Sequence, residues 1–425
     1  MQKILKSAAG IFFLVGMVSS GARAADAPLT WEDCVRIAEQ RNPDLLSARK
    51  ALESQRARYL GSYNGLMPQV TLSNSRTDGG PASAVRGAGP QWQAQGSAGM
   101  DLFNLKDYAD IGSASATQSQ VSAQLRLESA ALRFSLRQAF ADVLLAQEQV
   151  NVSTKIRDLR KTNARTVALL YDSGRESKGN RMKAEAELYQ AEAELAQAVR
   201  SLRSTRVGLN HQLGHDDFAL TTATGTLEAA ALPPPPDDDS LLANHPQIAS
   251  FEAAEAVARA GVKSAWSGVL PNLSVNYSRS VVDSKEFPTA NAQWSAAGVL
   301  SLPIFGGGPT ASWYAVTAAK RTLEKTREDL RSAKLQVRDT LESSWASLAG
   351  SIDQVEVQRR FLAAASQRNE EAGVRYSSGL MTFEDWELVV SDFVNFERSM
   401  VQSRHDAVIA ESAWLKALGK GLEEQ

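Results

Sequence analysis

Proline is missing from two long stretches of this chain, Gln91 to Leu232 and everything after Pro309. A proline inside a helix removes a backbone donor and clashes with the preceding turn, so its absence leaves both stretches open to long helices. Cysteine is nearly absent. The single Cys34 excludes an intrachain disulfide. Histidine is scarce too, and His211, His215, His245 and His405 are scattered. His211 and His215 have i,i+4 spacing, but Gly214 lies between them at a helix end and no third ligand is near, so no metal site is expected. Phosphate-binding loops and nucleophile motifs are lacking. The chain therefore reads as no enzyme, with no catalytic residue and no cofactor. Its formal net charge is −2, and the basic residues are spread along helical patterns, which argues against nucleic acid as a partner.

Long apolar runs are lacking as well. Residues 1–24 read as a secretory signal peptide, with Lys3 and Lys6 as the positive start and Ala22-Arg23-Ala24 as the cleavage site. Its apolar stretch, Ile11 to Val18, is too short to span a bilayer. The mature chain is expected to begin at Ala25, and Cys34 is too far from that end to carry a lipid. Cys34 lies in Trp31 to Ala38, a short amphipathic helix opened by Thr30 as N-cap, and reads as a small buried apolar residue. No later stretch is long and apolar enough for a transmembrane helix. A membrane crossing would have to use strands.

What is present is a duplication. Asn42-Pro43-Asp44-Leu45 recurs as His245-Pro246-Gln247-Ile248, and Leu66-Met67-Pro68-Gln69-Val70 as Val269-Leu270-Pro271-Asn272-Leu273. Gln91-Trp92 recurs as Gln293-Trp294, Tyr171-Asp172-Ser173-Gly174 as Tyr376-Ser377-Ser378-Gly379, and Leu213-Gly214 as Leu418-Gly419. The offset stays between 202 and 205 residues. Each copy is far longer than a solenoid unit, so the chain is a two-fold repeat and not an array. The expected division is residues 25–214, a linker at 215–244, residues 245–419 and a C-terminal tail at 420–425. The linker carries Pro233-Pro234-Pro235-Pro236-Asp237-Asp238-Asp239, stiff and acidic, and Thr221 to Gly225 reads as turn or strand.

Each copy holds two alternating runs. From Gln91 to Phe103, Gln91, Gln93, Gln95, Ser97, Gly99 and Asp101 face one way, and Trp92, Ala94, Gly96, Ala98, Met100 and Leu102 the other. Pro68 to Asn74, Asn272 to Ser278 and Gln293 to Leu302 alternate likewise. Trp92, Trp294, Tyr277, Phe103 and Phe305 are read as interface aromatics near the strand ends. Polar on one face, apolar on the other and bounded by aromatics, these runs fit a transmembrane β-barrel wall better than a soluble half-buried sheet. Four strands cannot close a barrel, and an open sheet edge in lipid is prohibitively costly. The chain is therefore expected to oligomerise; two, three or four copies give eight, twelve or sixteen strands. Arg76 to Pro90 and Arg279 to Asn291, with Asp283, Lys285, Glu286 and Pro288, read as exposed loops.

After each strand pair comes a long helix. The first, Asp107 to Leu170, has a length of about 90–100 Å. Leu132, Leu136, Ala139, Val143, Ala146 and Val150 form its coiled-coil seam, and Leu341, Trp345, Leu348, Ile352 and Val355 repeat it. Gly174 and Gly379 permit left-handed stops, after which helices about half as long return. Their seams are Ala184, Leu188, Ala191, Leu195, Ala198 and Leu202, and Val389, Phe393, Phe396 and Met400. The helices before the strands, Pro43 to Tyr63 and Pro246 to Ser267, are expected to stack end to end on the returning ones. The fold class is mainly α with a transmembrane β part: long antiparallel coiled-coil helices forming an α-barrel, plus four strands contributed to a shared β-barrel. A plain stalk needs no strands between its helices.

The ordered motifs, twice over, with Tyr-x-Ser-Gly turns and Asn210-His211-Gln212-Leu213-Gly214 beside Leu415-Lys416-Ala417-Leu418-Gly419, resemble the TolC-like outer-membrane efflux proteins, or outer-membrane factors. The resemblance covers essentially the whole mature sequence. It implies a homotrimer in outer-membrane lipid, a twelve-stranded barrel continuous with a twelve-helix periplasmic tunnel in a Gram-negative envelope. It implies a passive exit duct of a tripartite efflux or type I secretion system. The partners it implies are a periplasmic adaptor (membrane fusion protein) and an inner-membrane pump of RND, ABC or MFS type. The alternative is a non-transporting envelope scaffold.

In the family the hairpin turns form the tunnel entrance. Asp385 matches a constriction aspartate there. Leu388 stands where a second aspartate belongs, with Glu384 or Glu387 as substitutes. Tyr376 matches a tip tyrosine whose partner position is Asn180 here, and Met381 stands where relatives have arginine. The first tip is basic, with Arg175, Lys178, Arg181 and Lys183, and the second acidic. Attraction between Arg175 or Arg181 and Glu384, Asp385 or Glu387 is expected to hold the entrance shut; the alternative is that these are solvated tip charges that meet the adaptor.

Overall fold

The computed structural model describes residues 28–77, 91–215, 220–236, 240–283, 292–304 and 310–423. The signal peptide, most of both strand-connecting loops and Phe305 lie outside them. The order of helices and strands is the same in both copies, and the first adds a 3-10 turn. The first holds α1 (Trp31–Arg41), α2 (Pro43–Gly61), a 3-10 turn (Ser62–Leu66), β1 (Gln69–Thr77), β2 (Gln91–Phe103), α3 (Leu105–Asp172) and α4 (Lys178–Leu213). The second holds α5 (Ser240–Ala243), α6 (Pro246–Ser267), β3 (Asn272–Asp283), β4 (Gln293–Ser301), α7 (Ala311–Ser377) and α8 (Phe383–Ala417).

The strands form one antiparallel sheet in the order β1-β2-β3-β4, so β1 and β4 are its edges. Two expectations need correction. Arg76 and Thr77 close β1, and β3 runs on through Arg279 to Asp283, so residues read as loop are strand. Both extensions stay paired to β2, which supplies partners up to Gln91 and Trp92. As a result Tyr277 sits mid-strand, opposite Ala98 and Ala296, not near a strand end.

The helices stack as the sequence suggests, and the recurring motif explains how. Asn42 caps α2, its side chain accepting from the Asp44 and Leu45 amides at 3.0 and 3.1 Å. Its Nδ2 also donates to the Gln212 carbonyl at 2.9 Å, in the last turn of α4. His245 does both jobs in the second copy. Its Nδ1 accepts from the Gln247 amide at 3.2 Å, and its Nε2 donates to the Ala417 carbonyl of α8 at 3.0 Å. Burial pushes its pKa down, which suits the neutral ring that this donor–acceptor pair requires. Each joint satisfies a helix start and a helix end together. Thus α2 continues α4, α6 continues α8, and each composite column runs beside the unbroken α3 or α7.

The main core lies midway along α3, where α1, the end of α4 and α8 meet. Cys34, Ala38, Leu136, Phe140, Val143, Leu209, Leu213 and Val408 are buried there. Thr30 and Asp33 form the capping box that starts α1, and burial pushes the Cys34 thiol up to about 12, which keeps it an inert apolar filler. The linker lies across α7, where the Pro233 carbonyl accepts from Trp345 Nε1 at 2.9 Å. Leu29 and Ala223 make a parallel bridge. The expected α8 seam is shifted. Val389 and Met400 are buried, but Phe393 and Phe396 are only half-buried, and Phe383, Trp386, Val390, Val394, Val401 and Val408 are buried as well. Because α8 packs on α3 as well as on α7, its buried face is wider than a two-helix seam.

Candidate functional site

The two hairpin tips are built alike. Gly174 and Gly379 adopt φ of 76° and 79°. The amides of Arg175 and Leu380 reach back to the carbonyls of Leu170 and Arg375, both at 2.8 Å, closing the helix ends as a left-handed cap does. Ser177 and Thr382 then cap α4 and α8.

The expected tip residues separate into three groups. Arg181 stays on its own hairpin, paired with Glu185 at 3.0 Å and Asp172 at 3.8 Å and lying over the Tyr171 ring. Asn180 donates to Glu176 at 3.1 Å and not to Tyr376. Tyr376 is buried, stacked on Trp386 with ring centroids 4.2 Å apart, and its hydroxyl has no hydrogen-bond partner among the described residues. Burial, then the charges of Glu176 and Glu384, push that hydroxyl up to about 12. Arg175 reaches across to the second tip, its guanidinium 3.1 Å from where a side chain on Gly379 would begin. Glu384 and Asp385 are exposed, and Asp385 accepts from its own N-cap, Thr382 Oγ1, at 2.8 Å. Among the described residues, no ion pair within the chain joins Arg175, Lys178 or Arg181 to Glu384 or Asp385.

Glu387 requires a correction, because it does not point to the entrance. It is buried and gives both carboxylate oxygens to Arg160 Nη1, at 2.9 and 2.8 Å. The same nitrogen donates to Glu187 at 3.0 Å, and Ser391 donates to Glu387 at 2.8 Å. One guanidinium therefore ties α3 to α4 and α8, at the level of Glu387, about 12 Å along α8 from the Gly379 turn. Sequence reading missed Arg160 and Glu187, although a signal exists. Arg160 stands between Ile156, Asn163 and Val167 at heptad spacing, and a charge on an apolar seam marks a buried partner. His405 repeats the pattern higher on α8, its Nε2 2.8 Å from Asp142 and its Nδ1 3.2 Å from Asp406; only the protonated ring donates to both.

Both clusters join the first hairpin to the second, and both respond to protons in the same sense. Burial, then the neighbouring Glu387, push Glu187 up to about 7, against the pull of Arg160 and Lys183. Burial alone would depress His405, but its bonds to Asp142 and Asp406 outweigh it and raise the pKa. Each folded pKa lies above its unfolded value. The stabilisation is therefore complete below the unfolded pKa and is lost as pH rises through the folded one, for Glu187 from about 4.5 to about 7. Glu187→Gln imitates the protonated form. It should match wild type in mild acid and melt higher than wild type above neutrality; a pH-independent difference in melting temperature would refute this.

The four-stranded sheet is the other half of the site. Val70, Leu72, Trp294 and Leu300 are more than two-thirds exposed, all on the apolar face. Phe103 and Tyr277 are also exposed. Trp92 lies on the same face, opposite Arg76. No described helix is long and apolar enough to cross a membrane.

An exposed apolar sheet joined to two long helical hairpins is shared with known proteins. The model of the outer membrane efflux protein family matches residues 34–215 and again 239–420. The chain belongs to that family. It is 25% identical over 432 residues to the outer membrane efflux protein BepC of Brucella suis, covering 98% of this chain and 91% of the relative. It is 25% identical over 391 residues to the cobalt-zinc-cadmium resistance protein CzcC of Cupriavidus metallidurans, covering 91% and 88%. The solved structure of CusC superposes with a TM-score of 0.82 at 17% identity, covering 91% of each chain. The protein is thus an outer-membrane efflux channel with a helical periplasmic extension, and not an enzyme. Members of the family work as trimeric channels with a periplasmic adaptor and an inner-membrane pump.

Proposed function

We propose that three copies of this chain close a twelve-stranded barrel and a twelve-column helical tunnel, which conducts solutes passively from a periplasmic adaptor and inner-membrane pump to the exterior. The observation that carries the reading is the pair of open edges, β1 and β4, on a sheet whose apolar face is bare. In lipid those edges need partners, and a neighbouring copy supplies them in register. Each chain adds four helical columns: α3, α4 with α2, α7, and α8 with α6. Closure of eight strands would leave an interior just wide enough for side chains, whereas twelve leave a water-filled lumen.

At the entrance, Glu384 and Asp385 are exposed carboxylates on each chain, which a three-fold axis turns into a ring. Arg175, lying against Gly379, and Lys183, over the Phe383 ring, are first-tip cations that already reach the second tip. Exposed pairs of this kind contribute up to about 1 kcal/mol each, so the lock is weak per chain and depends on three-fold repetition. In planar bilayers, wild type should conduct in small steps, and Glu384→Lys with Asp385→Lys should raise single-channel conductance. Unchanged conductance would count against the entrance roles, whereas a protein that never conducts would favour a scaffold.

A further inference from the structure

The polar face of the sheet is almost free of charge. Thr71, Ser73, Gln93, Gln95, Asn276 and Ser278 set its character. Among the described strand residues, one on that face is ionisable, Asp101. Arg76 and Arg279 belong to the other face, in register with Trp92 and Trp294.

Asp101 sits where the barrel meets the helices. β2 ends two residues later, at Phe103, and α3 follows at once. The ladder to β3 shifts register between Asp101 and Phe103, an irregularity of the kind that re-aims a side chain at a barrel rim. Asn104, the N-cap of α3, donates from Nδ2 to Asp101 Oδ2 at 3.0 Å and so fixes the carboxylate. Lys106 pairs with Asp110 instead, and among the described residues no cation pairs with Asp101. The charge of Asp101 acts on its surroundings. Asp107, in the first turn of α3, has its pKa pushed up by burial and then by Asp101.

We propose that three copies of Asp101 form a charged ring at the periplasmic mouth of the barrel, a cation-selecting element separate from the entrance tips that sets the charge preference of an otherwise neutral lumen. The proposal rests on the barrel reading, because only an outward apolar face turns Asp101 inward. Twelve strands about 4.8 Å apart and tilted by about 40° put the backbone about 12 Å from the axis, and the carboxylates within about 10 Å of it. In about 0.1 M salt charges act over about 10 Å, so the ring is felt across the lumen; in about 1 M salt they act over about 3 Å, and it is felt only at the wall. In the dilute case three unit charges at that distance raise cations and lower anions on the axis about twofold each, or about fourfold in their ratio. Acidic rings set cation preference in channels by this means.

The full-length protein in planar bilayers, under a KCl gradient, yields the cation-to-anion permeability ratio from its zero-current potential. The comparison is made with Glu384→Gln and Asp385→Gln at the tips, so that a closed or selective entrance does not mask the barrel. Asp101→Asn, which keeps an acceptor for Asn104, should lower the ratio about fourfold in about 0.1 M salt and leave it unchanged in about 1 M salt. Asp101→Glu should keep the ratio of the parent. Ser274→Lys, which puts a cation directly across from Asp101 on β3, should also lower the ratio while leaving the aspartate in place. A ratio that either Asp101→Asn or Ser274→Lys leaves unmoved in dilute salt, or a fall that persists undiminished in concentrated salt, would overturn the proposal. A conducting channel whose ratio ignores Asp101 ends this proposal alone, and a wild type that never conducts ends the barrel reading.

Discussion

Arg160→Met should destabilise the helical body by about 3–5 kcal/mol, the largest effect expected of a single side-chain change away from a glycine. The arginine side chain is 11% exposed, and its partners Glu187 and Glu387 are 19% and 10% exposed. Removing it leaves two carboxylates facing each other in a site already poor in water. Neither can ionise beside the other without cost, so the variant should also become more sensitive to high pH. Circular dichroism melting of the purified protein would show a midpoint lowered by several degrees and falling further as pH rises. The triple change Arg160→Met, Glu187→Leu, Glu387→Met should recover most of the loss, because apolar groups of similar volume replace a buried ion cluster at little cost. Failure of the triple variant to recover would mean the three residues act separately. Since α3 and α8 belong to different hairpins, Arg160→Met should also raise conductance if loosening that seam opens the tunnel.

Gly214→Ala and Gly419→Ala should each cost about 2–5 kcal/mol, while Gly174→Ala should cost about 1–2 kcal/mol. All three glycines share a left-handed backbone, with φ of 70°, 74° and 76°. Their surroundings differ. A methyl group on Gly214 would meet the Arg41 carbonyl oxygen at 2.4 Å, and one on Gly419 would meet Pro246 Cδ at 2.5 Å. A methyl group on Gly174 meets nothing within 4 Å. The first two glycines are thus where one stacked helix touches the next, and backbone or ring atoms there cannot move aside. Thermal melting of the three alanine variants orders them directly. A Gly174 variant as damaged as the other two would show that backbone conformation alone sets the cost.

Much of this protein could be read from its chain. Helix ends fell within a few residues of those observed, because Pro43, Pro246, Gly174, Gly214, Gly379 and Gly419 are strong local signals. The strand limits were less legible. Arg76 and Arg279 look like the start of a loop because they interrupt an apolar alternation, yet their pairing to β2 and β4 continues past them. Tyr277, two residues before Arg279, looks like a strand end for the same reason. At the entrance, charge was visible but direction was not. Glu387 follows Glu384 and Asp385 in sequence and looks like a third member of one acidic tip. It lies about 160° around the helix from Asp385, on the buried face beside Val390, whereas Glu384, only about 60° away, is exposed because it sits in the first turn at the tip.

Sequence alone determined the duplication, the type of each element, the two-faced strands and the need for further copies to seal the sheet. These follow from local rules, since period and turn chemistry report which side of its own element a residue occupies. The tertiary structure decided which elements meet: Asn42 and His245 as joints between stacked helices, and Arg160 as a tie among three. Such meetings link positions up to hundreds of residues apart, and no periodicity within one element records the position of its neighbour.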